Sequence, residues 1–150
     1  MSAKYFAAAA HAALTQASSV APEDGDGNYL PANALDGLAD SMWCEGDKGD
    51  GTGQWLEVDL GAKQVVSKLT LINGIGSSMT VWLKANQALA LELTFDDGTK
   101  APVVIERPSF RAATFTFPAV TTQRVRITFT TVKPGKEFND LCLSEVGFSG

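Results

Sequence analysis

The chain has 150 residues, of which 45% are apolar and 19% charged, with 14 Gly and 6 Pro. That describes one globular domain able to bury a sizeable core. It is too short for an ordinary eight-fold β/α barrel and holds no apolar run near the twenty residues of a membrane-spanning helix. Twelve Lys plus Arg against seventeen Asp plus Glu give a net charge of −5, which argues against a protein that binds nucleic acid through its phosphates.

Residues 1–16, MSAKYFAAAAHAALTQ, are rich in Ala and read as an N-terminal helix or linker, since Ala has the highest helix propensity and no apolar stripe fixes a packing face. With one early Lys and no Leu-rich centre, the stretch makes a poor signal peptide. Residues 17–150 read as the globular domain.

From Ala17 the pattern becomes extended. Leu56, Val58 and Leu60 alternate with Trp55, Glu57 and Asp59, the period of a half-buried strand. Alternation returns at Leu69 and Leu71, Leu89 to Phe95, Val103 and Ile105, Phe115 and Phe117, Val125 to Phe129, and Val146 and Phe148. With a short segment at Trp43, this makes about eight strands. Gly61 reads as a strand end, Asp97-Gly98 as a hairpin turn, and Pro134-Gly135 as the start of a long loop. Short strands with no helix between them indicate an all-β sandwich. The loops at 21–42, 46–53, 73–79 and 133–140 exceed hairpin length and are where function is expected.

Charge is uneven along the chain. Residues 23–59 hold ten acids and one base, Lys48, which suits either a cation site or a solvated acidic face. Residues 100–136 carry seven bases against Glu106. Asp24, Asp26 and Asn28 have the start of EF-hand spacing, but Tyr29 and Leu35 occupy the positions that need Gly and Glu. Gly46 to Gly53 lacks the Lys-Ser/Thr of a phosphate loop, and Gly74-Ile75-Gly76 lacks the third Gly of a dinucleotide site. The single histidine, His11, lies outside the strand region, so a nucleophile–His pair or a zinc site has little support. Cys44 and Cys142 are too far apart for a CxxC motif; they are either a disulfide or two buried thiols.

Four segments together carry a resemblance: ASSVAPEDGDGNYLPANALDGLADSMWCEG, GTGQWLEVDLG, LTLINGIGSSMTVWLKAN and PGKEFNDLCLSEVGF. The most specific pieces are Asp36-Gly37 followed by Ser41 and Trp43, Gly-x-Gly-Gln-Trp-Leu, Asn73-Gly74, and Ser144-Glu145. Residues 17–148 resemble the discoidin or coagulation-factor C-type domains of the galactose-binding-like superfamily. Within it they are most similar to the glycan-binding domain attached to bacterial NAD glycohydrolases.

The resemblance implies an eight-stranded jelly-roll sandwich that binds glycans and leaves catalysis to other domains of a larger secreted or envelope protein. It also implies a structural Ca²⁺ held by Asp36, Ser41 and Glu145, with carbonyls near Asn33 and Leu38; such an ion takes six to eight hard oxygen ligands. A shared cation would place Cys44, three residues after Ser41, near Cys142, three before Glu145. Sugar binding needs an aromatic plane and hydroxyl partners, and the candidates are Glu45, Asp47, Lys48, Asn73, Trp82, Asn86 and Arg111. The alternative is a protein-interaction or adhesion domain that uses the same loops, or the basic 100–136 region, and binds no sugar.

Overall fold

A computed structural model describes residues 15–150. The Ala-rich helix or linker expected over 1–16 therefore lies almost wholly outside the described residues, and Gln16, at its end, pairs as a strand. The strands are β1 (Gln16–Ala17), β2 (Trp43–Cys44), β3 (Trp55–Asn73), β4 (Gln87–Phe95), β5 (Lys100–Val104), β6 (Ala113–Lys133) and β7 (Cys142–Ser149). A 3-10 turn spans Pro31–Leu35 and a short helix, α1, spans Met79–Lys84. The hydrogen-bonded order is β2-β7-β3-β6-β4-β5, with β1 on the free side of β3. All strand pairs are antiparallel.

Two strands are far longer than the alternation suggests. The runs at Leu56–Leu60 and Leu69–Leu71 join into the 19 residues of β3, and those at Phe115–Phe117 and Val125–Phe129 into the 21 of β6. Gly61, expected to end a strand, instead has φ +82° inside one. There the register jumps from Asp59↔Arg124 to Gln64↔Thr122, and it jumps again between Val66↔Val120 and Lys68↔Thr116. Extra residues of this kind bend a strand without ending it.

The ladder is thereby divided into halves. One carries β1, β4 and β5 beside Trp55–Asp59 and Val125–Lys133. The other carries β7 and β2 beside Lys68–Asn73. Leu56, Val58, Leu91, Leu93, Ile127 and Phe129 from the first half share one buried cluster with Leu69, Leu71, Leu143 and Val146 from the second. This is the antiparallel sandwich that the alternation predicts, with inward-facing residues of both layers as its core.

The hairpin at Asp97-Gly98 forms as expected: Gly98 takes φ +84°, and the Gly98 amide donates to Phe95 O at 2.9 Å. The helix α1 is a departure from the expectation of no helix between the strands. Ser78 caps it, its hydroxyl accepting from the Val81 amide at 3.2 Å. At six residues α1 is too short to show a helical period.

At the loop-rich end, Trp43 stacks on Phe129 with centroids 5.9 Å apart and donates from Nε1 to Ser19 O at 3.0 Å. This fixes the start of the 21–42 segment against the core. Cys44 stands opposite Cys142 in the β2–β7 register, and the two are bonded. A two-residue strand makes few ladder bonds, so the covalent link is a large part of what holds it.

The disulfide closes a loop of 98 residues, for which the chain-entropy model gives about 4–5 kcal/mol. The double substitution Cys44→Ala/Cys142→Ala should lower unfolding free energy in urea by up to that amount. The unreduced, denatured parent should show no free thiol among Cys44 and Cys142.

Candidate functional site

The loops following Val20, Asp40, Asn73 and Glu137 surround a cleft of about 920 Å³. Its floor is apolar: Met42 and the Cys44–Cys142 bridge are buried, with Ala21, Tyr29 and Ile75 packed against them. Its rim is polar and acidic and includes Asp24, Asp26, Asp40 and Asp140, with Phe138 at one side. Phe138 is 39% exposed, an aromatic face presented to solvent at the mouth.

Tyr29 is the best-anchored wall residue. Its hydroxyl donates to the Asp24 carboxylate at 2.7 and 2.8 Å, and its carbonyl accepts from the Cys44 amide at 3.4 Å. Burial first, then Asp24, Asp26 and Asp140, pushes the phenol up to about 12. The Tyr29 bond in turn lowers the Asp24 carboxyl below its usual range. The Asp24–Gly27 bridge and the Asp26 amide bond to Asp24 Oδ1 make a tight acidic turn, so the Asp24, Asp26, Asn28 spacing serves a turn and a wall of the cleft.

Phe138 is placed by a chain of backbone bonds. Helix α1 ends with unsatisfied carbonyls, and the incoming loop satisfies them: Lys136 N donates to Leu83 O at 3.1 Å, and Glu137 N and Phe138 N to Lys84 O at 3.0 and 2.7 Å. Gly135 permits this approach, since a Cβ there would overlap the Lys84 and Ala85 backbone.

The sugar candidates named from sequence fall elsewhere. Asn86 is fully buried; its Nδ2 donates to Asp50 O at 3.0 Å and Asn139 Oδ1 at 3.3 Å, and its Oδ1 accepts from Gly135 N at 2.8 Å. It ties three loops together. Asn73, 2% exposed, pairs with both backbone groups of Ala88 at 2.8 and 2.9 Å, extending a ladder with its side chain. Trp82 is buried, donates to Asn73 O at 2.8 Å and packs edge-on to Phe110.

Glu45 is 1% exposed, and its carboxylate accepts from the Asp47 and Leu141 amides at 2.8 and 3.4 Å. Burial raises its pKa against those two bonds. Glu45, Asn73, Trp82 and Asn86, expected as sugar contacts, are thus buried and bonded to backbone, with Asn139 Oδ1 a further partner of Asn86, and none of the four lines the cleft. Asp47 and Lys48 are exposed on the 46–53 loop, and Arg111 is exposed beside Phe110, all three outside the cleft lining.

Of the four loops where function is expected, 21–42 supplies Tyr29 and Asp40, 73–79 supplies Ile75 and Ser77, and 133–140 supplies Phe138 and Asp140, whereas no residue of 46–53 lines the cleft. Tyr29 and Phe138 line the cleft and are not among the sequence candidates. Their signal is an aromatic side chain standing among acids and amides in a loop too long for a hairpin.

The carboxylates at Asp36 and Glu145 form a second feature. Glu145 is fully buried, and among the described residues neither oxygen has a hydrogen-bond partner of good geometry. Burial, then the neighbouring Asp36 carboxyl, pushes it up to about 9, against the amides of Leu38 and Gly37. Asp36 accepts from Leu38 N at 2.9 Å and from the Ser41 hydroxyl. Asn33 sits nearby on the 3-10 turn and braces Asn28 and Met42 through Nδ2.

In the basic region, Arg124 pairs with Asp59, Arg126 with Glu57 and Lys100 with Glu92, all at 3.3 Å. Arg126 also lies over Trp55, 3.7 Å from its centroid. Three of the seven bases are therefore matched by acids on neighbouring strands.

The chain matches the family described as the NAD glycohydrolase translocation F5/8 type C domain over residues 4–149, and it belongs to that family. Among solved structures it is similar to the family 32 carbohydrate-binding module of NanJ from C. perfringens, in complex with galactose: 21% identity, 89% of this chain and 90% of that one, TM-score 0.62. It is also similar to chitosan-binding module 1 of a Paenibacillus chitosanase/glucanase, at 22% identity, 91% and 93% coverage and TM-score 0.62. A third is a Clostridium perfringens module in complex with GalNAc-β-1,3-galactose: 17% identity, 91% and 94% coverage, TM-score 0.65. No curated protein sequence matches the chain.

Removing either buried amide leaves two or more backbone groups without partners, each costing about 1–3 kcal/mol. Asn73→Ala and Asn86→Ala should each lower unfolding free energy by about 2–4 kcal/mol in urea titration. Asp47→Ala, at an exposed site whose one side-chain bond among the described residues is a 3.3 Å contact from Gly49 N, should change it by less than about 0.5 kcal/mol.

Proposed function

We propose that the domain is a non-catalytic glycan-binding module and that the Tyr29–Phe138 cleft receives the sugar. The observation that carries this is the cleft's composition: an aromatic face at the mouth and a ring of hydrogen-bonding side chains around an apolar floor. A pyranose offers an apolar C–H face and a belt of hydroxyls, which these surfaces complement. The sugars named for the similar modules support the same reading. An open cleft gives weak monovalent affinity, about millimolar to high micromolar, which repetition in a multidomain protein would raise. The disulfide suits the oxidising surroundings of a secreted or envelope protein, and no helix among the described residues is long and apolar enough to cross a membrane.

Screening on a glycan array, followed by affinity electrophoresis or calorimetry, tests the proposal. Phe138→Ala should weaken sugar binding about three- to ten-fold, the size of an aromatic contact, with little change in melting temperature because the ring is already part exposed. Unchanged binding would move the site from the cleft. A tight protein partner with no glycan hit would favour the interaction-domain alternative.

We also propose that Ca²⁺ is held beside Glu145. An orphaned buried carboxylate next to a second one is a poor arrangement for two anions and a good one for a hard divalent cation. Asp36 and Glu145 would neutralise it, and the Ser41 hydroxyl and carbonyls near Asn33 and Leu38 would supply further oxygens. An ion bound only by the native state stabilises it by about 2.7 kcal/mol at a hundred times its Kd. Calcium should therefore raise the melting temperature and EDTA lower it, and Asp36→Ala should abolish the difference. An identical calcium dependence in that variant would exclude these ligands.

A further inference from the structure

The cleft has a sign as well as a shape. Its rim holds Glu23, Asp24, Asp26, Asp40 and Asp140, and among the described residues no Lys, Arg or His lines it. The four ion pairs among the described residues, Lys84–Glu137, Lys100–Glu92, Arg124–Asp59 and Arg126–Glu57, all lie outside it.

The acids converge rather than merely coat a loop. Asp24 and Asp26 come from the first long loop and Asp140 from the last, yet all three line the one cleft, with Asp24 bonded to the Tyr29 hydroxyl. Beneath them lies the apolar floor of Met42, Ile75 and the disulfide. A low-dielectric wall behind a group of like charges focuses their field into the opening, where it concentrates counter-ions.

We infer that the cleft selects a sugar bearing a free amine, a hexosamine unit in its ammonium form, over neutral and anionic sugars. This rests on the reading of the cleft as a sugar site and adds the chemical class of the sugar. The pyranose C–H face would lie toward Phe138, and the ammonium, with three donors and one positive charge, toward the carboxylates of Asp26, Asp40 and Asp140. N-acetylation keeps the ring but removes the charge and most of the donors. A uronic acid keeps the ring and brings a charge of the wrong sign.

The test uses the full chain in calorimetry at low salt and about pH 6, with three ligands of equal length: a glucosamine oligomer, its N-acetylated counterpart and a uronic acid oligomer. The glucosamine oligomer should bind about ten-fold more tightly than the N-acetylated one, as several partly solvated carboxylates acting together allow. The uronic acid oligomer should bind most weakly. The preference should shrink several-fold as salt rises from about 50 to 500 mM, because exposed charges are screened. The triple variant Asp26→Asn/Asp40→Asn/Asp140→Asn should bring the affinity ratio of amine to acetyl form close to one. Asp140→Asn alone should lower it part of the way should the triple variant melt early.

Equal affinity for amine and N-acetyl forms, or tighter binding of the uronate, would overturn charge selection and leave the sugar site standing. Glucosamine binding that survives Phe138→Ala at full strength would overturn it too, as adsorption to the acidic surface. Binding of none of the three, with no other glycan retained, would overturn the sugar reading and this inference together.

Discussion

The structure depends on one ladder, the pairing of β3 with β6. These two strands pair in three stretches, Trp55–Asp59 against Arg124–Thr128, Gln64–Val66 against Val120–Thr122, and Lys68–Leu71 against Ala113–Thr116. Each half then recruits its own neighbours, so a failure of this pairing would remove both layers at once. The irregularities at Asp59/Gln64 and Val66/Lys68 allow a single pair of strands to serve two layers around one core. Gly61 at positive φ absorbs part of that bend.

The open end obeys a different constraint. Loops cannot satisfy their backbone groups with a ladder, and buried N–H and C=O groups must be satisfied somehow. Asn86 and Asn73 do this with amide side chains that donate and accept at once. The carbonyls at the end of α1 do it by receiving the 136–138 amides. The position of Phe138 at the mouth of the cleft is a by-product of these bonds. Glu45 extends the same logic to the Asp47 and Leu141 amides.

The fold was legible because alternation is a local property: Leu56, Val58 and Leu60 point inward wherever their strand goes, and their partners can be left unspecified. What alternation cannot show is whether two runs are one strand. Gly61 has the same chemistry at a strand end as in a bulge, so β3 and β6 read as four. The helix α1 spans less than two turns and leaves no period. The candidate site was harder. Asn73, Asn86 and Glu45 are residue types that serve equally as ligand groups and as buried braces, and only burial tells them apart. Tyr29 and Phe138 had the opposite ambiguity, since an aromatic residue in an apolar-rich chain is ordinarily core. Asp36, Ser41 and Glu145 were marked by the family resemblance, and the structure sets Asp36 between the Ser41 hydroxyl and the buried Glu145 carboxyl.

The arrangement of the indole rings has a spectroscopic consequence. Trp43 is sealed in the core against Phe129, Trp82 is buried beside Phe110, and Trp55 lies under Arg126 on a strand face. None of the three is a lining residue of the cleft. Tryptophan emission therefore follows the integrity of the sandwich, whereas the aromatic rings that line the cleft are Tyr29 and Phe138. The Tyr29 phenol, bonded to Asp24 in the wall of the cleft, is the aromatic chromophore whose difference absorbance reports on the cleft where the three indoles report on the sandwich.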